Sequence, residues 1–382
     1  MNSFLKFAAT VIVVVALSAF SASIWGGKPE KLPDNFSLKI TEQMTVQQFI
    51  DANNMERQFA KGFLGLADKN DLQKNISEFG SVQQLQSKYK KSLALKTEHE
   101  TKNWFKIPLK FALWSIFLGV SFFLLSRGKI KSANRKWLYG LSFLIFGIIM
   151  GADPSPMGTV KDAVYLYGKA GAIFPPRMIA LSVFLLTVLI ANKFICSWGC
   201  QFGTLQDFIF RLGSNKNDTK PSAVQQYKMP FVVSNTFRAL IFGLMFFSAF
   251  MFAYDLFEII DPFKIFKPMV LGIAGGTFIA VMLILSIFTY RPWCLLFCPF
   301  GFVGWLVEKL SIFKIRVNYD TCIACQKCSL SCPSTVMDAI LKQDKKTVPD
   351  CFSCGVCIEV CPTKSVTFSK GRRAKVPEGK FR

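Results

Sequence analysis

Histidine is almost missing: His99 is the single imidazole in 382 residues. One imidazole cannot supply both axial ligands of a bis-His haem within this chain. No C-x-x-C-H occurs, so no attached c-type haem is expected, and no haem enters the expected cofactors. Acid is scarce too, with 24 Asp and Glu against 46 Lys and Arg and a net charge of +22. Such an excess can serve nucleic acid. Here the basic residues flank apolar segments, as the positive-inside rule and anionic lipid favour. Membrane lipid is therefore an expected partner, and nucleic acid is not.

What is present is apolar. Hydrophobic residues make up 51% of the chain, 40 of them Phe, and mean hydropathy is +0.34. That is too apolar for an ordinary soluble domain and predicts a multi-pass membrane protein. Residues 1–25 hold a first apolar stretch, read as a signal anchor or first transmembrane helix. SAFSAS near its end offers small residues for cleavage, but the signal is weak and the uncleaved anchor is preferred. Five further segments follow, roughly 107–126, 137–152, 178–195, 231–256 and 269–290. About 20 residues are needed to cross about 30 Å of hydrocarbon. Loop 127–136 carries Arg127, Lys129, Lys131, Arg135 and Lys136 and no acid, so it is expected in the cytoplasm. Loops 153–177 and 257–268 mix both signs and are expected outside. About six spans then leave 196–230 and everything after 291 on the cytoplasmic side. Arg238, inside one apolar segment, is expected to snorkel to the interface; the alternative is that it faces a ligand pocket.

Residues 26–105 lack long apolar runs. Val46, Phe49 and Ile50 share one helical face, and Phe59 and Phe63 another, with Met55 between them. A small helical extracytoplasmic domain is expected, near the lower size limit for its own core.

Two stretches inside the expected bundle, 106–310, look alike. CSWGCQFGTLQDFIFRL starts at Cys196 and CLLFCPFGFVGWLVEKL at Cys294. Aligned, Cys200 matches Cys298, Phe202 matches Phe300, and Gly203 matches Gly301. Each copy is preceded by an Asp-Pro, Asp153-Pro154 and Asp261-Pro262. The pattern predicts an internal 2+2 repeat. If each segment is helical, residues i and i+4 share a face and both thiols of a pair point one way. Cys196, Cys200, Cys294 and Cys298 are then candidates for one redox or metal site at the cytoplasmic surface. Plain structural thiols remain the alternative, because Cys is a common small apolar residue.

The most specific signal is C-terminal. CIACQKCSLSCP and CFSCGVCIEVCP are each C-x2-C-x2-C-x3-C-P, the run of bacterial two-cluster ferredoxins. The fourth Cys of each run serves the other cluster. Cys322, Cys325, Cys328 and Cys361 are assigned to a first [4Fe–4S] cluster. Cys332, Cys351, Cys354 and Cys357 are assigned to a second. Zinc or disulfides are the alternatives, and two complete runs in tandem argue against both. The expected fold is therefore mostly α: a polytopic helix bundle followed by an α+β ferredoxin-like domain, 311–368, and a basic tail, 369–382. That tail is expected to rest on anionic lipid, or else to dock an acidic redox partner.

A membrane bundle with two C-x3-C motifs, followed by two ferredoxin runs, resembles the NapH/NosR-type membrane polyferredoxins over about 105–365. The resemblance implies a bacterial inner-membrane protein of anaerobic respiration. It would relay electrons between quinol or a cytoplasmic donor and a respiratory reductase system, which makes it a candidate quinol dehydrogenase subunit. Quinone and redox proteins are then candidate partners. A related branch acts in assembly, so an assembly factor reducing a metal or thiol is the alternative. Gln201 stands where the family has Pro, whereas Pro299 keeps it. The covalent flavin motif of NosR-like members is absent and 26–105 is too small for their flavin domain, so no covalent FMN is expected.

Overall fold

The computed structural model describes residues 3–25, 38–41, 43–66, 68–212, 226–343 and 350–381. Expectations for 26–37, for 213–225 and for Arg382 lie outside these residues. The first apolar stretch is one helix, α1 (Ser3–Trp25). Three helices build the small domain: α2 (Val46–Ala52), α3 (Arg57–Leu64) and α4 (Val82–Thr101). A capping box starts α2. The Gln48 N–H donates to Thr45 Oγ1 at 3.3 Å, and the Thr45 N–H returns to Gln48 Oε1 at 3.0 Å. Gly65, at φ 73°, closes α3 in the left-handed region. Val46, Phe49, Ile50, Phe63, Ile76 and Leu85 are buried in a core of its own, separate from that of the bundle. Ala94 on α4 packs with Leu166 and Phe174, and Glu98 pairs with Arg177 at 2.8 Å, which seats this domain on one end of the bundle.

The bundle continues with α5 (Lys106–Ser126) and α6 (Ser132–Ser142), the latter running on through π turns at Phe143–Ile149. Next come α7 (Pro156–Ala170), α8 (Pro175–Ala191), and two short helices, α9 (Phe194–Trp198) and α10 (Gln201–Phe210). The pattern then recurs without a counterpart of α7: α11 (Phe231–Phe252), α12 (Ile273–Phe288), α13 (Pro292–Leu296) and α14 (Pro299–Glu308). Among the described residues, α1, α5 and α11 are long and apolar enough to cross a membrane, while α8 and α12 are apolar but shorter. The segment expected at 137–152 starts earlier, because Ser132 is anchored on the C-terminal domain.

That domain opens with β1 (Phe313–Val317) and closes with β2 (Val366–Lys370), antiparallel, with Phe313 opposite Lys370 and Val317 opposite Val366. Between them lie α15 (Lys327–Ser331), α16 (Val336–Lys342) and α17 (Val356–Glu359). Phe122, near the end of α5, meets Phe313 and Phe368 at ring distances of 5.0 and 5.6 Å. The strand pair therefore caps the bundle at the end opposite the small domain. The tail folds back on the same domain: Phe381 lies 6.1 Å from the Tyr319 ring, and Lys380 Nζ donates to the Tyr319 carbonyl. Arg372 and Lys375 of the same tail stay exposed.

Candidate redox centres

The two C-x3-C segments have nearly the same backbone. α9 and α13 each stop short of the second cysteine. Cys200 (φ −76°, ψ 115°) and Cys298 (φ −66°, ψ 115°) leave the helix and cap the next one. The pairs therefore do not ride one continuous helix, as the i,i+4 reading assumed. Each second cysteine instead caps the N-terminus of the next helix, with its thiol near the backbone N–H of Gly203 for Cys200 and of Gly301 for Cys298. The free N–H groups and dipole of a helix N-terminus offset part of the cost of burying anionic sulfur there. The glycines are needed because the chain crosses itself. A Cβ on Gly203 would lie 2.7 Å from the Cys196 carbonyl oxygen, and one on Gly301 2.7 Å from that of Cys294. All four thiols are buried, and Cys196 lies within electrostatic reach of Cys200, Cys294 and Cys298.

Their depth differs from the expected surface position. Trp114 Nε1 donates to the Gly199 carbonyl at 2.9 Å, and Ser142 Oγ to that of Trp198 at 2.6 Å. Trp114 is eight residues from one end of α5 and twelve from the other, about 12 and 18 Å at 1.5 Å per residue. The hairpins thus turn back into the middle of the bundle. Gln201, which replaces the usual Pro, has a use here: its Nε2 donates to the Ala152 carbonyl at 2.6 Å, next to the Asp153-Pro154 turn. Beyond it, Lys110 is wholly buried and donates to the carbonyls of Gly151, Asp153 and Pro154.

Below the hairpins a buried polar layer joins the bundle to the ferredoxin loop. Lys193 and Arg291, each three residues before the first cysteine of its pair, occupy equivalent places. Arg291 Nη1 donates to the Cys196 carbonyl at 2.6 Å, and Lys193 Nζ to that of Gly301 at 3.4 Å, so each cation reaches the other half. Arg291 and Arg211 pair with the fully buried Asp207, which also accepts from Tyr290 Oη at 2.8 Å. Lys193 and Arg238 pair with Asp350. Arg238 is 1% exposed, so it neither snorkels nor faces the ligand pocket considered as its alternative; it holds the residue just before Cys351. Between the two halves lies Phe352, with Lys193 Nζ 4.5 Å and Arg291 Cζ 5.2 Å from its ring centre. Trp198 Nε1 donates to the Ser353 carbonyl at 3.2 Å, Arg135 Nε to that of Cys354 at 3.0 Å, and the Cys351 N–H to Glu308 Oε1 at 2.8 Å. Burial, with Asp350 alongside, pushes the Glu308 carboxyl up to about 8. Sequence reading missed this layer. Its signal was in the repeat alignment, where Lys193 falls opposite Arg291.

The ferredoxin cysteines divide into two sets. Cys332, Cys351, Cys354 and Cys357 line one cavity, walled by Tyr290, Ile315, Val336, Met337, Ile340 and Phe352. The cavity is partly open to solvent. The fourth cysteine of the first run thus sits among the first three of the second. Conversely, Cys328 feels the charges of Cys361 and Cys322, and burial pushes its thiol up to about 11. Cys361 lies below the usual thiol value. Its burial is outweighed by hydrogen bonds from the Thr363 hydroxyl and from the N–H groups of Val366, Ser365 and Thr363. Among the described residues no three His, Cys, Asp or Glu converge closely enough for one metal ion. Thiolates of a cubane each bind a different iron, so they stand farther apart than the ligands of one ion. The donor sets fit iron–sulfur clusters.

Comparison with known proteins agrees. The family described as "4Fe-4S dicluster domain" matches residues 315–368. The family described as "4Fe-4S binding domain" matches twice, at 173–220 and 271–318, over the two C-x3-C segments. A protein of Escherichia coli (strain K12), YccM, whose name assigns it to electron transport, is 31% identical over 215 residues, 53% of this chain. The match spans 58% of the length of that relative. The ferredoxin-type protein NapH of the same organism is 24% identical over 58% of this chain and 75% of its own length. A ferredoxin of Methanothermococcus thermolithotrophicus is 36% identical over 14% of this chain and 95% of its own length. No solved structure matches. Fold and sites together define a helical bundle, with helices long and apolar enough to cross a membrane, carrying a dicluster 4Fe-4S ferredoxin-type domain. The chain is similar to the NapH-type ferredoxin proteins and spans a little over half the length of the YccM relative.

Proposed function

We propose that this chain relays electrons between quinol or a cytoplasmic donor and a respiratory reductase system. It would lie in the bacterial inner membrane with six spans, the ferredoxin domain in the cytoplasm and the small domain outside. In this reading Cys322, Cys325, Cys328 and Cys361 hold one [4Fe–4S] cluster and Cys332, Cys351, Cys354 and Cys357 a second. Cys196, Cys200, Cys294 and Cys298, contributed equally by two repeated halves, form a third redox site, for which an iron–sulfur centre is the favoured content. When bound, such clusters supply one-electron storage at a potential tuned by hydrogen bonds to sulfur.

The observation that carries the reading is the seam between Cys351 and the C-x3-C hairpins. Asp350, Glu308, Lys193, Arg291 and Arg238 are all buried there. Buried ion pairs are costly to assemble and costly to break, so they fix geometry more than they stabilise. They hold the loop bearing Cys351, Cys354 and Cys357 against the hairpins bearing the other thiols. The order of thiols is then directional. Cys325 is exposed, the second set is half-buried against the bundle, and the C-x3-C set is buried midway along α5.

The test is electron delivery in cells carrying Cys200→Ala or Cys298→Ala. Each is expected to abolish growth on the dependent electron acceptor while the ferredoxin clusters stay loaded, and the double variant to be no worse. Full activity at normal protein level would refute the relay. An unmetallated partner reductase would instead indicate the assembly role.

A further inference from the structure

The eight ferredoxin cysteines are not equally reachable. Those lining the cavity beside Phe352 face the bundle, and the ion-paired seam covers them from that side. Cys325 is the one exposed cysteine of the chain. It is flanked by two large apolar side chains that point outward, Ile323 at 64% and Leu330 at 74% exposure. Lys327, next to Cys328, and Lys364, three residues after Cys361 of the same cysteine set, are both exposed. Lys228 reaches in from the bundle, with Nζ donating to the carbonyls of Ser329 and Leu330 at 2.9 and 3.0 Å. Lys380 of the tail is held close by, on the Tyr319 carbonyl. The acids of this edge are Asp320, exposed, and Asp338, which is tied to Lys342 at 3.2 Å.

The whole domain leans the same way. Residues 311–382 carry 13 Lys and Arg against 6 Asp and Glu. Two of those six, Asp350 and Glu359, are spent inside, on Lys193 and Arg238 and on Arg135. The surface left for a partner is therefore more basic than the composition. Apolar contact at the thiol edge, ringed by cations, matches the build of transient redox interfaces. There a small apolar centre sets close approach and the charged rim sets orientation and on-rate.

We propose that the Cys325 edge, bounded by Ile323, Leu330, Lys327 and Lys364, is the docking surface for an acidic, soluble one-electron carrier protein. This rests on the relay reading and adds the partner and the point of entry. One electron leaves the reduced carrier and one arrives at the centre held by Cys322, Cys325, Cys328 and Cys361. No bond is made or broken and no proton is needed. A carrier of the same kind receives the electron when flow is reversed.

The test uses the full chain, anaerobic and cluster-loaded, in nanodiscs of zwitterionic lipid, with a plant-type [2Fe–2S] ferredoxin as the acidic probe. Binding of the oxidised probe is measured alongside the rate of electron exchange with its reduced form. Affinity and rate are expected to fall at least about tenfold between about 50 and 300 mM salt. K327E with K364E is expected to lower both about tenfold at low salt. Ile323→Ser is expected to weaken binding while leaving the salt dependence unchanged, and dithionite is expected to reduce every variant at the parental rate. Equal binding and rate in K327E/K364E and the parent would overturn the proposal. So would a charge-reversal effect confined to binding of anionic lipid vesicles, since that would assign these lysines to a membrane surface. A chain that dithionite cannot reduce would defeat the relay reading instead, while the binding arm, which needs no electron, still decides the surface.

Discussion

Gly203 and Gly301 are the sharpest points at which to perturb the hairpins. An added Cβ would meet the carbonyl oxygen of Cys196 or Cys294 at 2.7 Å, closer than a Cβ normally comes to any neighbour. That oxygen belongs to backbone, so it cannot rotate aside. The second cysteine's own Cβ is 3.5 Å away at Gly203 and 3.4 Å at Gly301, which blocks a shift in that direction. Gly203→Ala or Gly301→Ala must therefore push the two strands of the hairpin apart by a few tenths of an ångström. Overpacking of this kind costs about 1–3 kcal/mol. Gly243→Ala is the control. Nothing lies within 4 Å of its Cβ position, and it sits within α11, where alanine gains about 0.5–1 kcal/mol. The assay is the thermal midpoint of the anaerobic protein in detergent at fixed scan rate, with iron counted on the same samples. About 2–4 °C per kcal/mol is expected for a body the size of the bundle. The two hairpin variants should fall by several degrees and lose electron delivery, while Gly243→Ala holds or rises. Parental midpoints and delivery in both hairpin variants would refute the crossing as a constraint on the thiols.

Asp207→Asn should cost about 3–5 kcal/mol, because it strips the buried carboxylate that Arg211 and Arg291 both face; chemical denaturation of the bundle reads this out. Cys332→Ser should disturb the same EPR signal as Cys354→Ser, and Cys361→Ser the same signal as Cys325→Ser, since each fourth cysteine sits with the other run; the opposite grouping would undo the assignment. A single Cys placed at Asn75, in a background of intact ferredoxin runs, should be labelled by an impermeant reagent from outside intact cells, and one placed at Lys375 only after lysis.

Much of this was legible in the chain. Spacing alone suggested that Cys332 joins the second run, and Cys332, Cys351, Cys354 and Cys357 line one cavity. The likeness of the two C-x3-C segments was visible because Gly203 and Gly301 sit at the same close crossing. The depth of the hairpins was not visible. A cysteine pair after an apolar run reads as a membrane edge, and only the hydrogen bonds of Trp114 and Ser142 reveal that the chain turns back. Arg238 misled for a related reason: its partner, Asp350, lies 112 residues away, and no local pattern connects them. Asp207 lies in an apolar helix, and its role exists only where Arg291 and Tyr290 fold onto it. The tail's basic composition says nothing of Phe381, whose packing on Tyr319 depends on a residue 62 positions earlier.

The most direct measurement counts iron and acid-labile sulfide per chain, under anaerobic conditions, in the parent and in a variant with Cys196, Cys200, Cys294 and Cys298 all replaced by Ala. The ferredoxin domain alone accounts for about eight of each. The account predicts about eight in the variant, with two ferredoxin EPR signals intact and electron delivery lost, and a higher count in the parent. Equal counts and equal delivery in the two proteins would contradict it.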